Sequence, residues 1–282
     1  MSNTISSQEF SIGKLYFVNE FEARGLIYEI FYQKSYLANF LTLKPGAIIF
    51  DVGANIGVFS LFALHQCDHD ALIYSFEPIP ISFECLKKNL APFKEKVRLY
   101  NLGIGNVIED CSVEFTLFGK DLVTATYKPM DKIVSNYNLL LNYKNLIKIA
   151  QKLNKLLYYQ LKYLPFLRHY LIQRNFKNRT AQTKISCTLT SLGRFIEKNE
   201  ITHIDFLKID VEGAEFDVIK SIKPTQFPMI QQLSIEVHDI NNRVEHLSKY
   251  LKEQGYIIHL DRNSLFERLG GNQYMIYAKR AG

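Results

Sequence analysis

Seven short runs of β-branched and aromatic residues, separated by stretches with helical periodicity, constrain this 282-residue chain more than any other feature. The runs are AIIFDV (47–52), ALIYSFE (71–77), VRLYNL (97–102), IDFLKIDV (204–211), QLSIEV (232–237), YIIHL (256–260) and QYMIYA (273–278). Between them lie helix-compatible segments at 57–66, 80–91, 190–199, 213–222 and 241–254. Parallel neighbours need long crossover connections, which helices supply, so this rhythm calls for a mostly parallel sheet covered on both faces. The expected fold class is α/β: a doubly wound, mostly parallel seven-stranded sheet. CSVEFTLF (111–118) alternates and fits a hairpin strand at an edge. Residues 1–45 read as an N-terminal helical lead-in, with a helix from Tyr28 to Leu41 ahead of KPG, and 46–282 as one domain.

The rhythm breaks between residues 121 and 183. Residues 121–180 hold 11 Lys and Arg against 2 Asp, so the chain's net charge of +6 comes from this insertion and the remainder is slightly acidic. Lys144, Lys148, Lys152, Lys155 and Lys162 recur at helical spacing, with Leu146, Ile149, Leu153, Leu156 and Leu157 filling much of the other side. A basic amphipathic helix over 139–163 follows, ended by Pro165, with a second helical piece at 166–177. The plainest expectation is a solvated lysine face whose leucines pack on the domain or on a second subunit in a homodimer. Sharper alternatives are a lid over the strand ends or a helix lying on an anionic membrane surface, a peripheral contact suited to a lipid-linked acceptor. The apolar content of the insertion argues against nucleic acid as a partner.

Composition excludes some classes. Apolar residues make up 47% and charged residues 22%, which suits a folded globular chain. Cys67, Cys85, Cys111 and Cys187 lack ligand-like spacing and read as free thiols. The start MSNTISSQEF does not resemble a signal peptide, and no apolar run reaches the roughly 18 residues of a membrane span. A cytoplasmic protein is expected.

In a doubly wound sheet, ligands bind at the carboxyl ends of the strands near the point where strand order reverses. IIFDVGANIGVFS (48–60) supplies a glycine turn at that place. Its spacing is GxxxG, with Asn55 where a dinucleotide fingerprint has its middle glycine, and no GxxxxGK[ST] occurs anywhere. What remains is a nucleoside-type ligand. Glu77, ending the second strand, can accept hydrogen bonds from both hydroxyls of a ribose.

DVGANIGVFS, FEPIPISFECLKKN, FLKIDVEGAEFDVIKS and LSIEVHD resemble blocks of the FkbM-type methyltransferases, class I enzymes that use S-adenosylmethionine on a Rossmann-like sheet. The likeness covers roughly residues 27–118 and 184–278, the IDVEGAE block being the most specific. It implies that Asp51, Gly53, Asn55 and Gly57 form the loop under the methionine part, that Glu77 holds the ribose and that Leu102 and Gly103 flank the adenine. It implies further that Asp210 and Glu212 stand beside the sulfonium and the acceptor.

The expected reaction is O-methylation of a hydroxyl on a small molecule or saccharide, the acceptor class resting on the resemblance. A hydroxyl acceptor needs a base or a metal to take its proton. The candidates are His238, Asp210, Glu212 and Asp239, with His238 ranked first because its ordinary pKa suits neutral pH. Asp210, Glu236 and His238 offer an alternative Mg²⁺ set, ranked second because they lack a dedicated ligand spacing. A bland reading stands beside these: Asp210 and Glu212 as caps of the helix near Gly213, a role that suits Glu215 better than catalysis. Two other functions compete with methyl transfer. One is an NAD-dependent oxidoreductase, disfavoured by Asn55; the other is a non-enzymatic module that binds membrane or nucleic acid through the basic insertion.

Overall fold

The computed structural model describes residues 4–37, 40–118, 121–128, 147, 151, 155–164, 182–262 and 273–281. It opens with a hairpin, β1 (Ser6–Phe10) and β2 (Gly13–Phe17), followed by α1 (Glu20–Ile27) and a π-helical turn, Tyr28–Tyr32. The helix expected over Tyr28–Leu41 does not form. Asn19 caps α1 by accepting from Phe21 N at 3.0 Å, so the helix starts eight residues earlier and its last turn is over by Tyr32. The following segment is held open instead: the Gln232 side chain bonds both backbone groups of Thr42, at 2.8 and 2.9 Å. The lead-in is therefore a hairpin plus a helix.

The α/β rhythm then runs β3 (Ala47–Val52), α2 (Val58–Gln66), β4 (Ala71–Phe76), α3 (Pro80–Leu90), β5 (Val97–Tyr100), β6 (Gly103–Ile104), β7 (Cys111–Phe118), β8 (Asp121–Thr126), α4 (Lys155–Tyr163), β9 (Gln182–Thr190), α5 (Leu192–Lys198), β10 (Phe206–Ile209), α6 (Glu215–Lys220), β11 (Gln232–His238), α7 (Arg243–Glu253), β12 (Tyr256–Arg262) and β13 (Gln273–Arg280). The central sheet has the order β12-β13-β11-β10-β3-β4-β5. Only β13 is antiparallel to its neighbours. The strand order reverses between β3 and β10, where Asp51 and Lys208 are register partners. That reversal is the switch point at which such sheets take ligands.

Both faces are covered, as near-continuous apolar parallel strands require. On one side Phe59, Phe62 and Leu86 from α2 and α3 join Leu15, Ala23 and Ile27 from the lead-in. On the other, Phe195, Val218 and Leu247 from α5, α6 and α7 pack on Phe50, Leu207 and Ile235. Each large side chain so buried contributes roughly 1.5–3 kcal/mol.

CSVEFTLF is a strand, but not at an edge of the central sheet. It lies inside a separate four-stranded sheet of order β6-β9-β7-β8. The 121–183 insertion consequently begins and ends in strands and is not wholly helical. Ile147, Gln151 and α4 are helical; the rest of the expected 139–163 helix and the 166–177 piece lie outside the described residues.

Candidate active site

The turn after β3 is shaped by its neighbours within the protein. Gly53 has φ +80°, and a Cβ there would overlap the carbonyl oxygen of Asp210 on the adjacent strand end. Gly57, φ +89°, would meet Leu86 Cδ1 of α3 at 2.7 Å. These glycines let β3 lie against β10 and α2 lie against α3. Asn55 between them also takes a left-handed conformation, φ +50°, which asparagine tolerates better than most residues.

That conformation aims the Asn55 N–H at Glu77, where it donates to Oε2 at 2.8 Å. Ile79 N donates to Oε1 at 2.8 Å. Glu77 is 6% exposed. Burial pushes its pKa up to about 7 against these two donors and the Lys208 ammonium, which pull it down. The carboxylate sits in a cleft whose floor and walls include Gly53, Asn55, Leu102, Gly103, Phe115 and Asp210.

Lys208 is buried in the middle of apolar β10 and lines the same cleft. A buried ammonium survives only with partners. Its Nζ donates to Gly53 O at 2.6 Å and lies 3.2 Å from Asp51 Oδ1 and 3.7 Å from Asp210 Oδ2. Asp51 is fully buried and also accepts from Ser60 Oγ at 2.7 Å. It therefore works beneath the turn. Asp210 faces the cleft, with Tyr36 Oη donating to its Oδ2 at 2.8 Å. Burial raises the Asp210 pKa, offset by Lys208 and reinforced by the Glu212 charge. Glu236 lies beneath, with Oε2 at 3.3 Å from the Tyr36 hydroxyl, and burial next to Asp210 pushes its pKa well up.

His238 occupies a different environment. Its Nδ1 is 3.1 Å from Glu215 Oε1 and its Nε2 is 3.2 Å from Glu212 Oε2, with the Gln273 amide 2.8 Å from Nε2. Glu215 also receives Arg243 Nη1 at 3.2 Å and the Gly213 N–H at 2.7 Å. Desolvation disfavours the imidazolium, but the two carboxylates outweigh it, and the His238 pKa is raised well above its ordinary value. Both ring nitrogens are thus engaged within the protein, Nδ1 by Glu215 and Nε2 by Glu212 and Gln273. Asp239 turns away: its Oδ1 accepts from Val244 N at 3.1 Å, at the start of α7.

The chain's kinship agrees with this geometry. The methyltransferase FkbM domain profile matches residues 51–258. The chain belongs to the FkbM methyltransferase family. It is 26% identical over 263 residues to the 31-O-demethyl-FK506 methyltransferase FkbM of Streptomyces tacrolimicus, covering 93% of this chain and 92% of that one. It is 25% identical over 256 residues to methyltransferase sdnD of Sordaria araneosa, covering 88% and 87%. The crystal structure of methyltransferase FkbM from Methylobacillus flagellatus KT shares the fold, with TM-score 0.53 at 13% identity over 87% of this chain and 47% of that one. An FkbM methyltransferase takes its methyl group from S-adenosylmethionine, so the oxidoreductase and non-enzymatic readings give way.

In this FkbM sheet, the cleft gathers Gly53, Asn55, Glu77, Leu102, Gly103, Asp210 and Glu212 from among the residues singled out in the sequence. Asp51 and Gly57 do not line it; one anchors Lys208 and the other packs on α3. His238 and Asp239 are likewise absent from its walls, the first held between carboxylates and the second bonded to α7. Asp210 and Glu212 do not cap α6; the Gly213 N–H is taken by Glu215. Asp210, Glu236 and His238 do not make a metal set, since the Tyr36 hydroxyl separates the carboxylates and the imidazole faces Glu212 and Glu215. Among the described residues no three His, Cys, Asp or Glu side chains are placed to hold a metal ion. The sequence reading missed Tyr36, Lys208 and Tyr127. Tyr127 lines the cleft from beyond β8 and donates to Asp217 Oδ2 at 2.8 Å, while Lys128 Nζ reaches the same oxygen at 2.6 Å. Of the three, only Lys208 carried a signal, a charge inside the apolar run DFLKI.

Proposed function

We propose that the cleft seats S-adenosylmethionine with its methionine part over Gly53–Asn55, its ribose at Glu77 and its adenine beside Leu102 and Gly103, and that the methyl acceptor is a hydroxyl of a small molecule or saccharide at Asp210 and Glu212. One observation carries the reading: at the switch point, a single cleft joins a buried carboxylate at the end of β4 to a partly exposed carboxylate at the end of β10. The two are suited to different work. Glu77 is held rigidly by two backbone donors, as a group that recognises a diol must be, whereas Asp210 is free on the cleft side to meet the acceptor. Apolar Ile79, Ile104 and Phe115 offer the flat, dry surface that an adenine takes.

The cofactor supplies an electrophilic methyl group whose carbon–sulfur bond breaks as the acceptor oxygen attacks, the electron pair leaving on sulfur. The protein's part is alignment and proton removal. Asp210 accepts the hydroxyl proton, and its raised pKa brings it nearer to the strength such a base needs at neutral pH. His238 holds Glu212 at the mouth as a charged clamp. The relative from Streptomyces tacrolimicus is named for a 31-O-demethyl substrate, which supports an oxygen acceptor. Ala125 and Tyr127 line the cleft from the start of the basic insertion, which supports a role for that insertion on the acceptor side. Among the described residues no helix is long and apolar enough to cross a membrane.

The test is transfer of labelled methyl from S-adenosylmethionine to a panel of monosaccharides, polyols, phenols and amines. Label on hydroxyl acceptors, lost in Asp210→Asn, is expected. Label on amines alone, or full turnover in Asp210→Asn, would contradict the reading.

A further inference from the structure

The lead-in, which looked peripheral in the sequence, reaches the centre of the cleft. Leu26 and Ile30 line it. Tyr36 goes further, placing its hydroxyl against Asp210 from 174 residues away in sequence. We propose that Tyr36 is the positioning residue for Asp210: its O–H ties down Oδ2 and leaves Oδ1 directed to the cofactor and the acceptor.

Tyr36 is built to hold still. It is 2% exposed, its ring lies edge-on to Phe59 at 5.4 Å, and the Lys208 ammonium sits 5.3 Å from its centroid. The backbone on either side is tied, with Ser35 O accepting from Tyr277 Oη at 2.5 Å and Leu37 N donating to Lys34 O at 2.8 Å. A hydroxyl has one proton to give. The 2.8 Å contact to Asp210 takes it in preference to the longer 3.3 Å contact to Glu236, whose acid form burial favours. Of the two carboxylates that the Tyr36 hydroxyl touches, Asp210 is the one that faces the cleft. A purely structural site of this kind would be cheaper as phenylalanine against an apolar residue, since buried acids cost stability unless satisfied.

The other groups facing this pair are Lys208 on the same strand and Glu212 just beyond it, His238 on β11, and Glu29 on the π turn. Removing the Tyr36 donor leaves all of them in place and deletes one hydrogen bond that favours the ionised form of Asp210.

The inference rests on the proposed cofactor pose, in which Asp210 faces the sulfonium. S-adenosylmethionine carries that charge and S-adenosylhomocysteine does not, so the ratio of their calorimetric affinities reports the ionised Asp210 without any acceptor. In the full-length wild type the ratio is expected to fall as pH drops through the titration of Asp210. Tyr36→Phe should move that midpoint up by up to about one pH unit, as for loss of one charge-assisted hydrogen bond, with homocysteine-product affinity unchanged. Asp210→Asn should flatten the ratio, and adding Tyr36→Phe to it should change nothing more. Glu236→Gln, which keeps a donor against Tyr36 Oη, should leave the midpoint in place. A wild-type midpoint in Tyr36→Phe, an equal loss of both affinities, or a Tyr36→Phe effect that persists in the Asp210→Asn background would overturn the inference. Failure of the wild type to bind either compound would instead sink the pose on which it rests.

Discussion

Glu77 and His238 show how environment sorts residues that look alike in sequence. Both are polar side chains at or near strand ends, Glu77 buried and His238 partly so, yet one keeps its partners on the protein backbone and the other is locked between carboxylates. Because the Glu77 pKa stands at about 7, affinity for S-adenosylhomocysteine, which lacks the sulfonium charge, should weaken as pH falls through that value, where the carboxylate proposed to hold the ribose gains a proton. Glu77→Gln should bind it about tenfold or more weakly and without that pH dependence, measured by calorimetry. For His238 the sign runs the other way. Its raised pKa means that the imidazolium contributes stability in full below the ordinary value near 6.5, and that this contribution is lost as pH rises through the higher folded value. His238→Ala should therefore cost about 3 kcal/mol in urea unfolding near neutral pH, the penalty of removing the cation between Glu212 and Glu215, while cofactor binding survives. Unchanged stability would show that the clamp is idle. Glu77 was legible in the sequence because it ends a strand of the expected sheet. The clamp was not, because Glu212, Glu215 and His238 meet only when β10 and β11 lie side by side.

At the scale of elements, the glycine turn is the clearest case of a motif with two duties. Its spacing in the sequence pointed to a ligand, and its lining of the cleft fits that, but the immediate reason for Gly53 is the carbonyl of Asp210. Gly53→Ala should lose about 3 kcal/mol or more, and with it cofactor binding, because left-handed strain and a backbone overlap act together. Gly13 in the N-terminal hairpin has φ +99° and open space around it, so Gly13→Ala should cost only about 1–2 kcal/mol and spare binding. Equal losses by urea denaturation would contradict the packing argument. The hairpin itself went unread because SSQEF is polar on both faces, and the early helix because its start depends on the single capping side chain of Asn19. Strand β9 had a readable signal in TKISCTLT, where buried Cys187 and Leu189 alternate with exposed Ser186 and Thr188, yet it follows directly on the 121–183 insertion and has no place in the seven-strand reading.

For the whole molecule, the strand rhythm was enough to give the doubly wound sheet, since a parallel strand buried on both faces reads as an apolar run and its crossover as a helix. The order β12-β13-β11-β10-β3-β4-β5 then determines which loops meet, and the switch between β3 and β10 brings the GxxxG turn, Glu77 and the IDVEGAE block to one cleft. The lead-in and the second sheet close that cleft through Leu26, Ile30, Phe115 and Tyr127. Their contribution was invisible beforehand because it depends on long-range packing, with no local pattern to announce it. The central claim is that this cleft holds S-adenosylmethionine. Calorimetric titration of the purified protein with S-adenosylmethionine, S-adenosylhomocysteine, NAD and NADP tests it most directly. One-site binding of the first two and no heat from the dinucleotides is predicted; an intact fold that binds neither sulfur compound, or that takes NAD instead, would contradict it.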